Sequence, residues 1–563
     1  MDAPDNVTEP SSFQTAFTQP LQEEKLAPCQ GNCPSGLNVR GWIASISQHA
    51  RLGLSLTEAY QQAWQEIADR NPLLAITGRI CPHPCQDQCN RNDKDGAVPI
   101  NAMERFLGDW ALAHDLPLVR LGSEEYPETI GVVGSGPAGL SFSYQMARRG
   151  YAVTIYEQFA KPGGMLRYGI PAYRLPEVIL DGEIQRILDL GVQLKLDTVI
   201  GRDIEVGQLQ SRHDVLFVGI GAQRALQLDI AGEEGPGVWS GTGYLNAINC
   251  GENVAIGSKV LVIGGGNTAI DAARAARRQG AAVTVLYRRT RLEMPAIDRE
   301  IEDALQEDVQ IEYLVNPVEI KRVDGAIESV LVQRMELGKV DDSGRRRPMP
   351  IPNSEYELSV DGLIVAVAQE PAWEDLGELA AQSSATRSSA TRSTATRTSW
   401  LQADNAGRVA DALWTGGDVL GLGIATQAIS QGRAAAEKLH AQLRNLKLED
   451  VKAQEPITTE LVKTDLFSEK AAGALPRRPL QEWLTKPDVE IDQTLSEEQF
   501  LAEATRCFSC GLCSGCELCW MYCNAVAFTR VDQPKPGSYF ELSLDVCEGC
   551  GKCLHVCPSG FLS

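Results

Sequence analysis

Ten of the chain's 16 cysteines fall between Cys507 and Cys557, and within that stretch the spacing C-x2-C-x2-C-x3-C occurs twice. The first copy is Cys513, Cys516, Cys519 and Cys523; the second is Cys547, Cys550, Cys553 and Cys557, followed by Pro558. Thiolates two residues apart can each take one corner of a [4Fe-4S] cubane, whereas the fourth cysteine of such a run ligates the other cluster of a pair. The spacing therefore assigns Cys513, Cys516, Cys519 and Cys557 to one cluster, and Cys547, Cys550, Cys553 and Cys523 to a second. A zinc site needs only four ligands and a disulfide framework belongs to secreted chains, so two such runs argue for clusters over either. Asn524 stands where a proline often follows the first run, and Cys507 and Cys510 are surplus: they either shift the register or lie beside the clusters.

The paired runs resemble a two-cluster bacterial ferredoxin, which implies a unit for carrying single electrons. At 563 residues the chain has room for three or four domains. No apolar run of about 18 residues is present and Met1 to Pro20 is polar, so a soluble, cytoplasmic protein is expected, with no membrane partner. A net charge of −22 disfavours nucleic acid. It suits docking on a basic protein surface or plain solubility. Ser384 to Ser399 repeats Ala-Thr-Arg without apolar periodicity and is expected as an exposed, mobile loop.

Upstream, the strand-like run 129–134 leads into Gly134-Ser-Gly136-Pro-Ala138-Gly139, a helix over 137–149, and a second strand ending at Glu157. Gly134 permits the tight turn, Gly136 lets backbone approach a pyrophosphate, Gly139 lets the helix pack closely, and Glu157 can accept from a ribose. The segment Trp414-Thr-Gly416-Gly417-Asp418 and the small-residue helix after it resemble the late motif by which FAD proteins close their site. That likeness implies Asp418 on the ribityl or phosphate region, and a helix start at Ala425 and Thr426 facing the ring. A plain turn is the alternative. Gly163, Gly164 and Met165 are expected near the flavin, with a simple loop as the competing account.

A second strand and turn follow at 258–264, with Gly264-Gly-Gly266-Asn267-Thr268-Ala269 opening another helix. Where the first unit has Glu157, this one has Tyr287 followed by Arg288 and Arg289. An acid there would repel a 2′-phosphate and two guanidiniums can clamp it, so NADP(H) is preferred, with NADH open. Flavin motifs on both sides imply a pyridine-nucleotide domain inserted into a flavin domain, with the crossings near 214–222 and 362–371. Hydride transfer between the two cofactors depends on positioning, so no catalytic acid or base is expected.

Before the first fingerprint stand Cys29, Cys33, Cys81, Cys85 and Cys89, separated by a helical stretch. Five cysteines can hold one cubane with one left over; zinc is the alternative. Cys250, alone after an apolar stretch, is expected to be buried and inert.

The segments CPSGLNVRGWI, GRICPHPCQDQC, PINAMERFLGDW, GGMLRYGIPAYRLP, GGGNTAIDAARAARR, VLYRRTRLEMPA and GGDV together resemble the glutamate synthase small-subunit family over residues 27–440. Within that family are the large subunit of an electron-bifurcating NADH-dependent ferredoxin:NADP oxidoreductase and the N-terminal half of dihydropyrimidine dehydrogenase. The resemblance implies FAD, a pyridine nucleotide and an N-terminal [4Fe-4S] region, in which Glu104 is a candidate ligand beside Cys33, Cys81 and Cys85. Relatives with two N-terminal clusters carry a further C-x2-C before the position of Cys29. It is missing here, which implies one N-terminal cluster, and all-cysteine ligation with Cys29 or Cys89 stays open. The appended C-terminal unit is similar to the NADH:acceptor oxidoreductase that accompanies dissimilatory sulfite reductase, and related chains serve 2-oxoacid oxidoreductases and formate dehydrogenases.

The expected fold is multidomain α/β, with two Rossmann-like domains arranged as in disulfide reductases. Its parts are an α-helical iron–sulfur domain over 1–125, flavin domain over 126–240 and 363–445 with a loop at 383–400, NAD(P)H domain over 241–362, linker over 446–500, and ferredoxin-like α+β domain over 501–563. The expected activity is electron transfer between NAD(P)H and a partner redox enzyme through FAD and [4Fe-4S] clusters. The chief alternative is the small subunit of glutamate synthase; a homodimer is compatible with either.

Overall fold

The computed structural model describes residues 18–341, 344–376, 379, 400–448 and 454–563. The Ala-Thr-Arg repeats lie outside these described residues.

Short apolar runs build two parallel sheets, buried on both faces by helices as such runs require. Six strands form the first, in the order Arg408–Ala410, Leu413–Thr415, Val215–Val218, Thr129–Val133, Ala152–Tyr156 and Gln193–Lys195. Neighbours run parallel except for the hairpin of the first two. Five parallel strands form the second: Val238–Ser240, Gly362–Val365, Lys259–Ile263, Ala282–Tyr287 and Gln310–Tyr313. A long antiparallel sheet of Val315–Val323, Ala326–Val340 and Arg346–Ser359 packs its apolar face against this second unit.

The chain leaves the first sheet after Val218 and returns through segments that pair with each other, Arg224–Ala225 against Gln369–Glu370. Val238–Ser240 and Gly362–Val365 belong to the second sheet. The boundaries expected after 240 and 362 therefore fall at the edge of these strands instead of at the crossings. Arg174, on the flavin side, reaches Asp271 at 2.7 Å and Glu300 at 3.2 Å and ties the two units together.

The N-terminal region is helical: Val39–Ser47, Leu56–Ala68, Leu74–Ile80 and Ile100–Ala113 are its main elements. Ser55 and Glu58 form a capping box that starts Leu56–Ala68. Helices Leu74–Ile80 and Ile100–Ala113 touch backbone to backbone at Gly108, where an added Cβ would stand 2.5 Å from Ala75 Cα. That contact brings Cys81, at the end of the first helix, toward Glu104 on the second.

The expected linker over 446–500 is packed, where described, against the body. Trp483 is buried, Arg477 pairs with Asp303 at 2.6 Å, and Glu490 bridges Arg79 at 2.7 Å and Arg105 at 3.0 Å. Helix Glu497–Ala504, capped by Ser496 and Gln499, then inserts into the N-terminal core. Phe500 is fully buried there, stacked on Phe106 with centroids 4.1 Å apart and meeting Tyr60 edge-on at 5.5 Å. The boundary expected at 501 thus cuts a helix that belongs with the N-terminal region, because its apolar face has its partners there.

Beyond it, the last residues form a small unit: helices Leu518–Tyr522 and Lys552–Val556 with the hairpin Phe528–Lys535 and Ser538–Leu542. Residues 18–25 run along it, with Thr18 bridging Cys550 and Gln22 bridging Leu562. No helix among the described residues is long and apolar enough to cross a membrane.

Candidate functional site

The strand-to-helix turn at Gly134 opens a cavity of about 160 Å³ bounded by Gly136, Ala138, Glu157, Gly164, Met165, Gly417 and Asp418. Gly139 packs so tightly that a Cβ would stand 2.1 Å from Gly134 O, whereas at Gly136 nothing would be met. The first contact seats the helix on its strand, and the open position leaves the helix N-terminus accessible to a phosphate.

Glu157 closes the strand, 3 % exposed. Its carboxylate accepts from Ser135 N at 2.9 Å, Phe159 N at 3.0 Å and the Ser135 hydroxyl, which itself accepts from Gly163 N at 3.0 Å. One acid therefore orders both the fingerprint turn and the Gly163–Met165 loop, and a carboxylate has roughly four acceptor sites, enough for a ribose as well. Asp418 sits across the cavity. Burial pushes its carboxyl up to about 6, against the pull of a hydrogen bond from Gly423 N at 3.0 Å. These residues fit FAD: an open glycine at a helix N-terminus, an acid for a ribose, and a half-buried carboxylate facing the cavity.

Ala425 and Thr426 were expected at the flavin ring, but the cavity wall is formed by Ala428, further along the same helix. Helical periodicity turns Thr426 to another face, where its hydroxyl lies 3.6 Å from Cys81 Sγ and its carbonyl accepts from the Ser35 hydroxyl at 3.3 Å. Ser135 and Gln431, whose Oε1 accepts from Gly417 N at 2.7 Å, shape the cavity and escaped sequence reasoning. Ser135 had a legible signal in its place between Gly134 and Gly136; Gln431 had none.

In the second unit, Gly264 and Gly266 stand in the turn that opens helix Asn267–Arg278. Asn267 Oδ1 accepts from Ile297 N at 2.9 Å and Thr268 Oγ1 meets Gln369 Nε2 at 3.5 Å, so both hold the turn to flanking loops. The two arginines differ. Arg289 is buried and bound to Asp341 at 2.8 Å and to Arg346 O at 2.8 Å. Arg288 is exposed, and its pKa is lowered by partial desolvation and by the charges of Arg289 and Arg345. The basic cluster thus draws on Arg345, some sixty residues away in sequence, which sequence reading missed.

The cysteines gather in four sets. Cys513, Cys516, Cys519 and Cys557 line one cavity of about 20 Å³. Cys523, Cys547, Cys550 and Cys553 line another of about 20 Å³. Near the flavin cavity, Cys33, Cys81 and Cys85 surround Glu104. Burial pushes the Glu104 carboxyl up to about 8, and burial followed by the charge of Glu104 raises Cys33, Cys81, to about 12, and Cys85. Cys29 and Cys89 keep different company: burial and then the charges of Cys507, Cys510 and Cys89 drive the Cys29 thiol well up. Cys29 thus has Cys507 and Cys510 as neighbours in addition to Cys89, and it also lies near Cys85 of the first set.

The two C-terminal sets of four thiols fit [4Fe-4S] cores, each core taking soft ligands at separate corners. Among the described residues no group of three or more His, Cys, Asp or Glu side chains is placed so as to hold a metal ion. Cys250, expected to be buried, is exposed at the end of helix Gly241–Asn249, its thiol 3.4 Å from Asn246 Oδ1.

Two family models match the chain: the pyridine nucleotide-disulphide oxidoreductase model over residues 128–432, and that of the dihydropyrimidine dehydrogenase domain II 4Fe-4S cluster over residues 22–116. The β subunit of an NADP(+)-dependent formate dehydrogenase from Moorella thermoacetica is 34% identical across 86% of this chain and 70% of its own length. The NADPH-Fe(3+) oxidoreductase β subunit of Geobacter sulfurreducens is 36% identical across 61% of this chain and 51% of its own length, so the chain spans about half of that relative. The glutamate synthase [NADPH] small chain of Escherichia coli is 30% identical across 73% of this chain and 87% of its own. With the flavin cradle, the second nucleotide fold and the N-terminal cysteines in place, the chain belongs to the pyridine nucleotide-disulphide oxidoreductases, as an oxidoreductase of their FAD- and iron–sulfur-containing kind.

Proposed function

We propose that this chain carries electrons between NADPH and a partner redox enzyme, using FAD in the cavity at Gly134 and [4Fe-4S] clusters on the cysteine sets. When bound, FAD exchanges electron pairs with the nicotinamide and the clusters relay single electrons. The chain's own contribution is placement. Gly136 and the helix it opens receive the flavin pyrophosphate, Glu157 receives its ribose, and Asp418 faces its ribityl region. Gly264 and Gly266 receive the pyrophosphate of NADPH, while Arg288 and Arg345 meet its 2′-phosphate; Arg289, spent on Asp341, positions Arg346 and its strand.

One observation carries the coupling. Helix Ala425–Leu443 touches both sites, with Ala428 on the flavin cavity and Thr426 3.6 Å from Cys81 Sγ. A single rigid helix therefore separates the cavity from the nearest cysteine set. Relatives named as β subunits support a partner subunit for this chain as well.

The test is anaerobic dye reduction by the full chain with bound FAD, comparing NADPH with NADH, followed by reduction of the cluster absorbance by NADPH without dye. Dye reduction with no bleaching of the clusters would reject the coupling. The likeness to the glutamate synthase small chain over 87% of its length favours a second reading, as donor to a glutamate-forming subunit. The C-terminal cysteine unit speaks against it, and failure to support glutamate formation with a glutamate synthase large subunit would dispose of it.

A further inference from the structure

We infer that Cys29, Cys89, Cys507 and Cys510 hold one further [4Fe-4S] cluster, a site split between the two ends of the chain. This goes beyond the electron-transfer reading and rests on it only for the iron–sulfur character of the N-terminal cysteines.

The geometry begins with helix Glu497–Ala504, which Phe500 anchors in the N-terminal core, so that Cys507 and Cys510 emerge against residues 25–40 and 89–97. Arg506 donates to Ala97 O at 3.1 Å, Asp95 O at 3.1 Å and Gly96 O at 2.6 Å. Arg91 returns the contact, donating to Arg506 O at 2.6 Å and lying 4.6 Å over the Phe508 ring. Asn90, beside Cys89, reaches Cys510 Sγ at 3.5 Å, and Ser509 N reaches Cys507 Sγ at 3.4 Å. Lys25 N donates to Gly511 O at 3.0 Å, closing the segment from the other side. Three short runs of chain, two near one end and the third more than 400 residues away, are thus stitched around the four thiols.

The donor set matches the ligand. The four thiols are half-buried or less exposed, and none is in a disulfide. Cys507 and Cys510 feel the charge of Cys89, and Cys29 feels all three others, so the four sulfurs face a common space. Arg40, 2 % exposed, places its positive charge beside Cys29, Cys507 and Cys510 and donates to Cys510 O, while its Nε finds no acceptor among the described residues. A cation there offsets the negative charge of a thiolate-bound core. Assembly needs no oxidant: each thiol gives up its proton and each sulfur binds one iron of a preformed [4Fe-4S] core.

The position explains why the site exists. Cys85 of the set near the flavin feels the charge of Cys29, and Cys510 stands three residues from Cys513 of the C-terminal unit. The split site lies between them, and closes the gap between the flavin half and the C-terminal clusters.

The test is iron content of the anaerobically isolated full chain. With this cluster present the wild type holds about 16 iron atoms per chain; about 12 would overturn the proposal. C507S/C510S should lose about four, C29A the same four, and the combined variant no more than either; flavin absorbance reports that each has folded. Unchanged iron in C507S/C510S, or additive losses in the combination, overturns the assignment. Where a variant fails to fold, alkylation of the wild type decides. Cys29, Cys89, Cys507 and Cys510 should resist iodoacetamide until iron is chelated and then react together, while exposed Cys250 reacts from the start. Alkylation of Cys507 or Cys510 in the iron-loaded chain overturns the site. C81A separates the two readings: if it loses iron while C507S/C510S does not, the split site alone fails, and if neither loses iron the N-terminal iron–sulfur reading fails as well.

Discussion

In the flavin cradle, the turn at Gly134, the acid Glu157 and the Gly164 loop lie within about thirty residues of one another, and each is held by hydrogen bonds to its close neighbours in sequence. The cysteine core is assembled differently. Cys81 meets Thr426, Asn90 meets Cys510, and the helix carrying Phe500 fills a hole between Tyr60 and Phe106. The turn and acid of the cradle form a local motif, to which a distant segment adds only Gly417, Asp418 and their helix, whereas the cysteine core exists only once three distant segments have packed. The difference teaches that damage to packing should empty the core long before it empties the cradle.

The sharpest way to break that comparison is Phe500→Ala. Truncating a fully buried aromatic side chain costs about 3–5 kcal/mol. Denaturant titration followed by separate flavin and iron signals should show iron lost first; simultaneous loss of both would mean that the regions are one cooperative unit.

Glu183 tests the seam between them. It lies on helix Glu177–Leu188 of the flavin unit, and its carboxylate accepts from Ala75 N at 2.8 Å and Ile76 N at 3.0 Å, the first turn of the helix that ends at Cys81. Burial pushes its pKa up from 4.5 to about 7. Below about pH 4.5 both folded and unfolded chains hold the proton; as pH climbs toward 7 the unfolded chain releases it and the folded chain does not. Stability therefore falls across that window, by up to about 3 kcal/mol, and levels off above it. Glu183→Gln should flatten the midpoint-against-pH profile between 4.5 and 7, and an unchanged slope would remove Glu183 as its source.

Gly139→Ala strikes the cradle alone. The added methyl must displace the Gly134 carbonyl, at about 1–3 kcal/mol. Bound flavin should fall while iron content holds, and iron loss in step with flavin would show that the cradle supports the core. The smallest effect belongs to the nucleotide pocket. Arg288→Ala with Arg345→Ala should raise KM for NADPH about tenfold, or about 1.4 kcal/mol, with little change for NADH. An equal rise for both nucleotides would move the 2′-phosphate elsewhere.

Much of this was legible from spacing. The positions of Gly134, Gly136, Glu157, Gly264 and Asp418 around their turns follow from local backbone demands, as does the division of eight C-terminal cysteines between two cavities, since each run of three lies on one turn and short helix. Thr426 was misplaced because a motif names a helix start without stating its rotation. Arg289 was misjudged because its partner Asp341 is fifty-two residues away in sequence. Cys250 was expected inside because its apolar neighbours precede it, but the helix ends there and leaves it exposed.

By itself, then, the sequence determined the kinds of site: two nucleotide turns, thiols in sufficient number for iron–sulfur cores, and the order in which they are strung. Only the tertiary structure decided that Cys507 and Cys510 turn back to the opposite end of the chain, beside Asn90 and Arg91. The physical reason is that a turn is written in the φ/ψ preferences and hydrogen bonds of consecutive residues, whereas the burial of Phe500 beside Phe106 leaves no periodic trace in either segment.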